Sequence, residues 1–139
     1  MKLRMPANST EIGFLLLRVA MGGMLFYFHG YDKLKAAIGY LFRGQEWGFV
    51  GFVGSLGFPL PSFFAVCAAL AESIGGLLLA VGLFTRYSSI FVCFTMLVAV
   101  YHHSRTDGRI EGAAVYAVAA LFFFFAGSGK YALDAKLRK

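Results

Sequence analysis

The sequence predicts an all-α integral membrane protein, a four-helix transmembrane bundle with an interfacial or re-entrant segment after its first helix. Three observations carry this. The chain has 139 residues, 59% hydrophobic and only 14% charged, against roughly a quarter charged in a soluble domain. Mean hydropathy is +0.70. The apolar residues fall into four runs, and 13 Lys and Arg residues sit mainly between and beyond them, as membrane flanks do. So small a soluble protein would need more charge to cover its surface, which excludes a soluble enzyme. Two cysteines among 139 residues exclude a disulfide scaffold. The net charge of +6 belongs to the flanks, so no nucleic-acid partner is expected.

The runs set the predicted spans at about 12–31, 63–85, 87–103 and 110–129 of one domain covering residues 1–139. A hydrocarbon core about 30 Å thick takes about 20 helical residues. The runs are continuous rather than alternating, which disfavours strands. The first is too long for a signal-peptide core and carries Arg18 inside it. Asn8-Ser9-Thr10 offers cap side chains before it, Pro59 and Pro61 punctuate the entry to the second, and Ser104–Arg109 forms a polar hairpin before the fourth. Between the first two spans, Asp32–Leu60 reads as the first helix running on past the membrane. A short interfacial piece around Trp47–Leu56 follows, since Trp and Tyr favour the headgroup layer.

Four spans place both termini on one side. Lys2, Arg4, Arg86, Lys130, Lys136, Arg138 and Lys139 lie there, against Lys33, Lys35, Arg43, Arg105 and Arg109 opposite. The positive-inside rule makes the first side cytoplasmic and the location the cell (inner) membrane.

Charges within the runs each cost about 2.5–3.5 kcal/mol on insertion scales, so each needs a reason. Helical spacing puts Arg18, Gly22, Leu25, His29 and Lys33 on one stripe of the first span. Glu72 lies mid-way along the second, among small residues that admit close backbone approach. An Arg18–Glu72 pair is expected across roughly 9 Å of depth, either as a structural clasp or within a site. His102 closes the third span with His103, and Glu111 opens the fourth. Together these form a set of proton-active groups in the outer half of the bundle. His titrates near neutrality, and a desolvated Glu moves toward it. Such a pocket suits a quinone head group. Glu72 and Glu111 would handle protons, His29 and Lys33 would hydrogen-bond the ligand, and Arg18 would tune Glu72; His102 is a further binding residue. Scattered His and Glu follow no metal motif, so no metal is expected. Cys67 and Cys93 lie at depths too different to pair and read as apolar packers. Leu121–Phe125 reads as a lipid-facing and packing surface. No phosphate loop, nucleophile elbow or haem motif is present.

These residues resemble the DoxX family of small four-span membrane proteins. The resemblance rests on Leu17-Arg18, then Phe28-His29-Gly30 with Lys33, then Gly57-Phe58-Pro59. It continues through Glu72, Gly75, Gly76, Leu79, Gly82, Thr85 and Arg86 to the closing Gly127–Asp134 segment. Ala132 stands where the family usually has Ser. The resemblance implies a bacterial-type plasma-membrane protein linked to thiosulfate:quinone oxidoreduction, quinone tolerance, or complexes handling thiol and oxidative stress. The expected function is a redox-associated subunit that binds quinone or couples a partner oxidoreductase to the quinone pool. The quinone would be substrate or ligand, and the protein would hold no electron carrier of its own. The lipid bilayer, an oxidoreductase partner and a homo-oligomer are the expected associations. The rival reading is a non-catalytic scaffold for partner membrane or redox proteins.

Overall fold

The structure, a computed structural model, describes residues 6–138; Lys2, Arg4 and Lys139 of the charge count lie outside the described residues. The described residues contain helices and no strand. Helix α1 is Ser9–Arg43, α2 Gly48–Ser55, α3 Pro61–Val81, α4 Thr85–Arg105, α5 Glu111–Ala126 and α6 Leu133–Leu137. Helices α1 and α3 are each long and apolar enough to cross a bilayer.

The polarity of the bundle is inverted relative to a soluble protein. Arg18, Glu72, Ser73, Ser88 and Ser89 are buried, while Leu16, Phe28, Phe91, Val118 and Phe125 stand on the outside, more than half exposed. An apolar belt of this extent needs hydrocarbon around it. The all-α class of a membrane bundle is the architecture found.

Two crossings define the α1–α3 pair. Gly22 meets the backbone of Gly76 and Ala80, and Gly30 meets that of Glu72 and Ser73. Lipid tails are as apolar as side chains, so close backbone packing of small residues holds such helices together. A Cβ at either glycine would collide with backbone.

Both helices carry a π-helical turn at this contact, Phe26–Gly30 in α1 and Ala71–Gly75 in α3. A π turn bonds i to i+5 and so inserts one residue into the helical phase. The inward stripe of α1 therefore runs Arg18, Gly22, Leu25, Gly30, Ala37. His29, on the stripe at a uniform 100° per residue, is rotated to an exposed position. This corrects the expected stripe.

Helices α4 and α5 complete the bundle around Leu25, Leu79, Val92, Met96, Ala120 and Phe123. Phe123 is fully buried while Phe125 is 72% exposed, so the Phe run packs on one side and faces outward on the other. Gly127, at φ 81°, ends α5. The following loop brings Asp134 to the start of α4. There its carboxylate accepts from the backbone N–H groups of Phe84 (2.8 Å) and Thr85 (2.9 Å). The acid thus caps α4 from across the chain, which α4 needs because Phe84 offers no capping side chain.

Candidate functional site: an aromatic cavity with a buried ion pair

A cavity of about 510 Å3 lies between α2, α3, α4 and the middle of α1. Its walls follow helical spacing. Phe49, Phe52, Val53 and Leu56 come from one face of α2, and Phe91, Phe94, Val98 and His102 from one face of α4. Phe63, Phe91 and Phe94 are more than half exposed, so the mouth opens on the outer surface of the bundle, where acyl chains run.

The polar groups of this cavity are few. Glu72 Oε1 and Oε2 accept hydrogen bonds from Lys33 Nζ at 2.6 and 2.7 Å. The Glu72 side chain is 3% exposed and that of Lys33 29%. A carboxylate buried so far is tolerable only with a partner, and Lys33, one turn beyond the Gly30 contact with the Glu72 backbone, reaches it. The ammonium also sits 4.7 Å from the centre of the Phe49 ring, a cation–π contact. Two of its three N–H groups meet the carboxylate, which leaves a third. His102 packs edge-on against Phe52 at 4.6 Å between ring centres. His103 also lines the cavity, and its Nδ1 lies 2.9 Å from Asp107 Oδ1. In this exposed hairpin the Arg109 backbone N–H, then the His103 side chain, hold Asp107 below the usual carboxylate range.

Of the residues singled out from the sequence, Glu72, Lys33 and His102 converge here. His29 faces the other way, with its ring 5.8 Å from that of Tyr116 on α5. Glu111 is exposed in the first turn of α5 and does not line the cavity. The expected Arg18–Glu72 pair does not form. Gly30 sets the level of Glu72, and Arg18 lies twelve residues earlier on α1, about 18 Å away along the axis at 1.5 Å per residue. Instead Arg18, 1% exposed, donates from Nη2 to the Tyr131 carbonyl at 3.1 Å. Its Nη1 lies against Gly82, where a Cβ would collide. Arg18 therefore ties α1 to the C-terminal end of α3 and to the segment after α5, with Asp134 as the nearby negative charge. Cys67 and Cys93 are free thiols, and Cys67 stands in the cavity wall. The aromatic walls were the part not foreseen. The spacing Phe49, Phe52, Val53, Leu56 in a segment too short to span was the readable sign.

The comparisons with known proteins fit this arrangement. The DoxX family model matches residues 13–105, a stretch that holds Arg18, His29, Lys33, Glu72 and His102. The chain belongs to the DoxX family. The family match ends at the close of α4, so the capping segment around Asp134 lies outside it. A relative in Bacillus subtilis named "Putative oxidoreductase CatD" is 42% identical over 93 residues, covering 67% of this chain and 60% of that protein. The chain thus spans less than two thirds of that relative's length. An uncharacterized protein of Haemophilus influenzae is 32% identical over 95 residues, 62% of this chain and 68% of its own length. No solved structure matches the DoxX chain significantly.

Proposed function

We propose that this DoxX-family chain is a redox-associated subunit of the cell membrane. In this reading it binds a quinone head group in the aromatic cavity and couples a partner oxidoreductase to the quinone pool. The observation that carries the reading is the Lys33–Glu72 pair in a Phe-walled cavity of about 510 Å3 that opens toward lipid. A quinone is a flat ring with two carbonyl oxygens and a lipid-soluble tail. Phe rings pack on its faces. The free N–H of Lys33 donates to one carbonyl, and His102 donates to the ligand from the opposite wall. The tail leaves by the mouth between Phe63 and Phe91.

Reducing a quinone takes two electrons and two protons. This chain supplies the proton chemistry. Glu72, already hydrogen-bonded, exchanges a proton with the reduced oxygen while Lys33 steadies the anionic form, a general acid–base role. His102 and His103 connect the cavity to the hairpin at Asp107. Electrons come from the cofactor of a partner, in keeping with the relative's name, "Putative oxidoreductase CatD". The cavity sets His29, Glu111 and Arg18 aside as head-group ligands, and Arg18 serves the inner end of the bundle. Four spans with both termini in the cytoplasm complete the reading.

The test uses the single tryptophan. Trp47 lies 5.4 Å from Phe49 between ring centres, and Phe49 lines the cavity. A short-tailed ubiquinone analogue bound there quenches Trp47 fluorescence saturably. Glu72→Gln, which keeps shape and removes charge, is expected to weaken that binding at least tenfold, about 1.4 kcal/mol, in protein that still inserts and melts cooperatively. No saturable quenching of the wild type, together with loss of folded protein in Glu72→Gln, would establish a structural clasp and a scaffold function instead.

A further inference from the structure

At the end of the bundle opposite the aromatic cavity, two adjoining cavities share a wall. One, of about 320 Å3, lies between the loop after α5, the first turn of α4 and α6, and Arg86, Lys130 and Arg138 line it with Thr85 and Asp134. The other, of about 640 Å3, is a groove walled by Phe84, Tyr87, Ile90, Phe124 and Phe125. Thr85, Arg86, Asp134 and Arg138 belong to both.

The charge of the first cavity is unbalanced. Arg86, Lys130 and Arg138 face the Asp134 carboxylate, which is engaged with the Phe84 and Thr85 backbone N–H groups. Glu11, which does not line the cavity, accepts from the Lys130 backbone N–H at 2.6 Å, so cations outnumber carboxylates three to two. None of the three cations forms an ion pair among the described residues. Thr85 is 1% exposed. Its hydroxyl lies beside Asp134 but meets no partner at hydrogen-bonding geometry, so a buried donor is left on the shared wall. The groove beyond is apolar, and Tyr87 and Phe125 are 71% and 72% exposed along it. A basic, donor-bearing pocket that passes directly into a greasy groove at the membrane boundary matches one chemistry. Basic pockets between transmembrane helices recognise anionic head groups.

We propose that this double cavity binds one anionic phospholipid. Its phosphate sits among Arg86, Lys130 and Arg138, and an acyl chain lies along the groove between α4 and α5. The two arginines at the shared wall are the selective element, because their planar forks match phosphate oxygens bidentately. The site is independent of the aromatic cavity and of any redox role.

The test is native mass spectrometry of the full chain in detergent, titrated with dioleoylphosphatidylglycerol or dioleoylphosphatidylcholine. One phosphatidylglycerol is expected to be retained per chain, with at least a tenfold preference over phosphatidylcholine. The Arg86→Gln/Arg138→Gln double variant is expected to reduce that preference to threefold or less. Arg105→Gln/Arg109→Gln, which removes the same charge at the other end, leaves it intact. Equal retention of both lipids by the wild type would mean ordinary boundary lipid and overturn the proposal. Equal loss in both double variants would mean diffuse charge and overturn it too. Displacement of phosphatidylglycerol by inorganic phosphate at matching concentration would mean a site for free anions. Should the Arg86→Gln/Arg138→Gln protein fail to fold, the wild-type lipid preference and the phosphate competition decide the matter.

Discussion

Asp134 shows how much one side chain does in this protein. Burial raises its pKa. The backbone hydrogen bonds from Thr85 and Phe84 act the other way and prevail, so the carboxyl sits below its ordinary value. A group with a depressed folded pKa contributes stability that is present above its unfolded pKa and is lost as pH falls through the folded one. Asp134→Asn removes both the charge and half the cap, at an expected cost of about 1 kcal/mol. The variant should melt lower than wild type at pH 7, and the gap should close as the pH is lowered below about 4, read by thermal unfolding in detergent across that range. An equal gap at both ends of the range would mean that charge plays no part in the cap. From the sequence, Asp134 was only the last residue of a family-like pattern. Its role depends on a partner 49 residues away, and no local spacing carries that. Arg18 and Glu72 teach the same lesson. Each was legible as a buried charge needing a partner, but the partner was set by helix register.

At the scale of the element, the α1–α3 crossing depends on glycines whose neighbours are backbone. Backbone cannot move aside as a flexible side chain can, so Gly22→Ala forces the helices apart. The expected loss is about 1–3 kcal/mol. Gly23→Ala is the control, since a Cβ there meets nothing within 4 Å and gains about 0.5–1 kcal/mol of helix preference. Melting temperatures of the two variants, measured side by side, should move in opposite directions. A similar fall in both would show that α1 does not pack through this face. The π turns belong to this scale as well. Sequence periodicity assumes uniform phase, and the extra residue at Phe26–Gly30 is why Gly30 rather than His29 faces α3.

For the whole molecule, the arrangement separates two ends. The Asp107 hairpin and the aromatic cavity lie at one, and Arg86, the Arg18 contact and Asp134 lie at the other. With cytoplasmic termini, a cysteine at Ser104 in a Cys67→Ala/Cys93→Ala background is expected to react with a membrane-impermeant maleimide on intact spheroplasts. A cysteine at Arg86 reacts only after lysis. The reverse pattern would invert the orientation and place the aromatic cavity on the cytoplasmic side. Proton exchange with a bound quinone would then take place on that side.

By itself, the sequence determined the class of environment, the helical character, the family and the buried charges that had to be satisfied. The environment and the helical character follow from composition and apolar run length, the buried charges from their place within those runs, and the family from its motifs, all of them local features of the chain. It also held, unread, the aromatic stripe of Phe49, Phe52, Val53 and Leu56. Only the tertiary structure decided that Lys33 rather than Arg18 answers Glu72, that His29 and Glu111 stay outside the cavity, and that Asp134 caps α4. Those outcomes turn on rotation and depth, where one inserted residue shifts a side chain by about 100° and twelve residues separate two levels by about 18 Å. Such displacements accumulate along a helix and become visible only once a second helix fixes the frame.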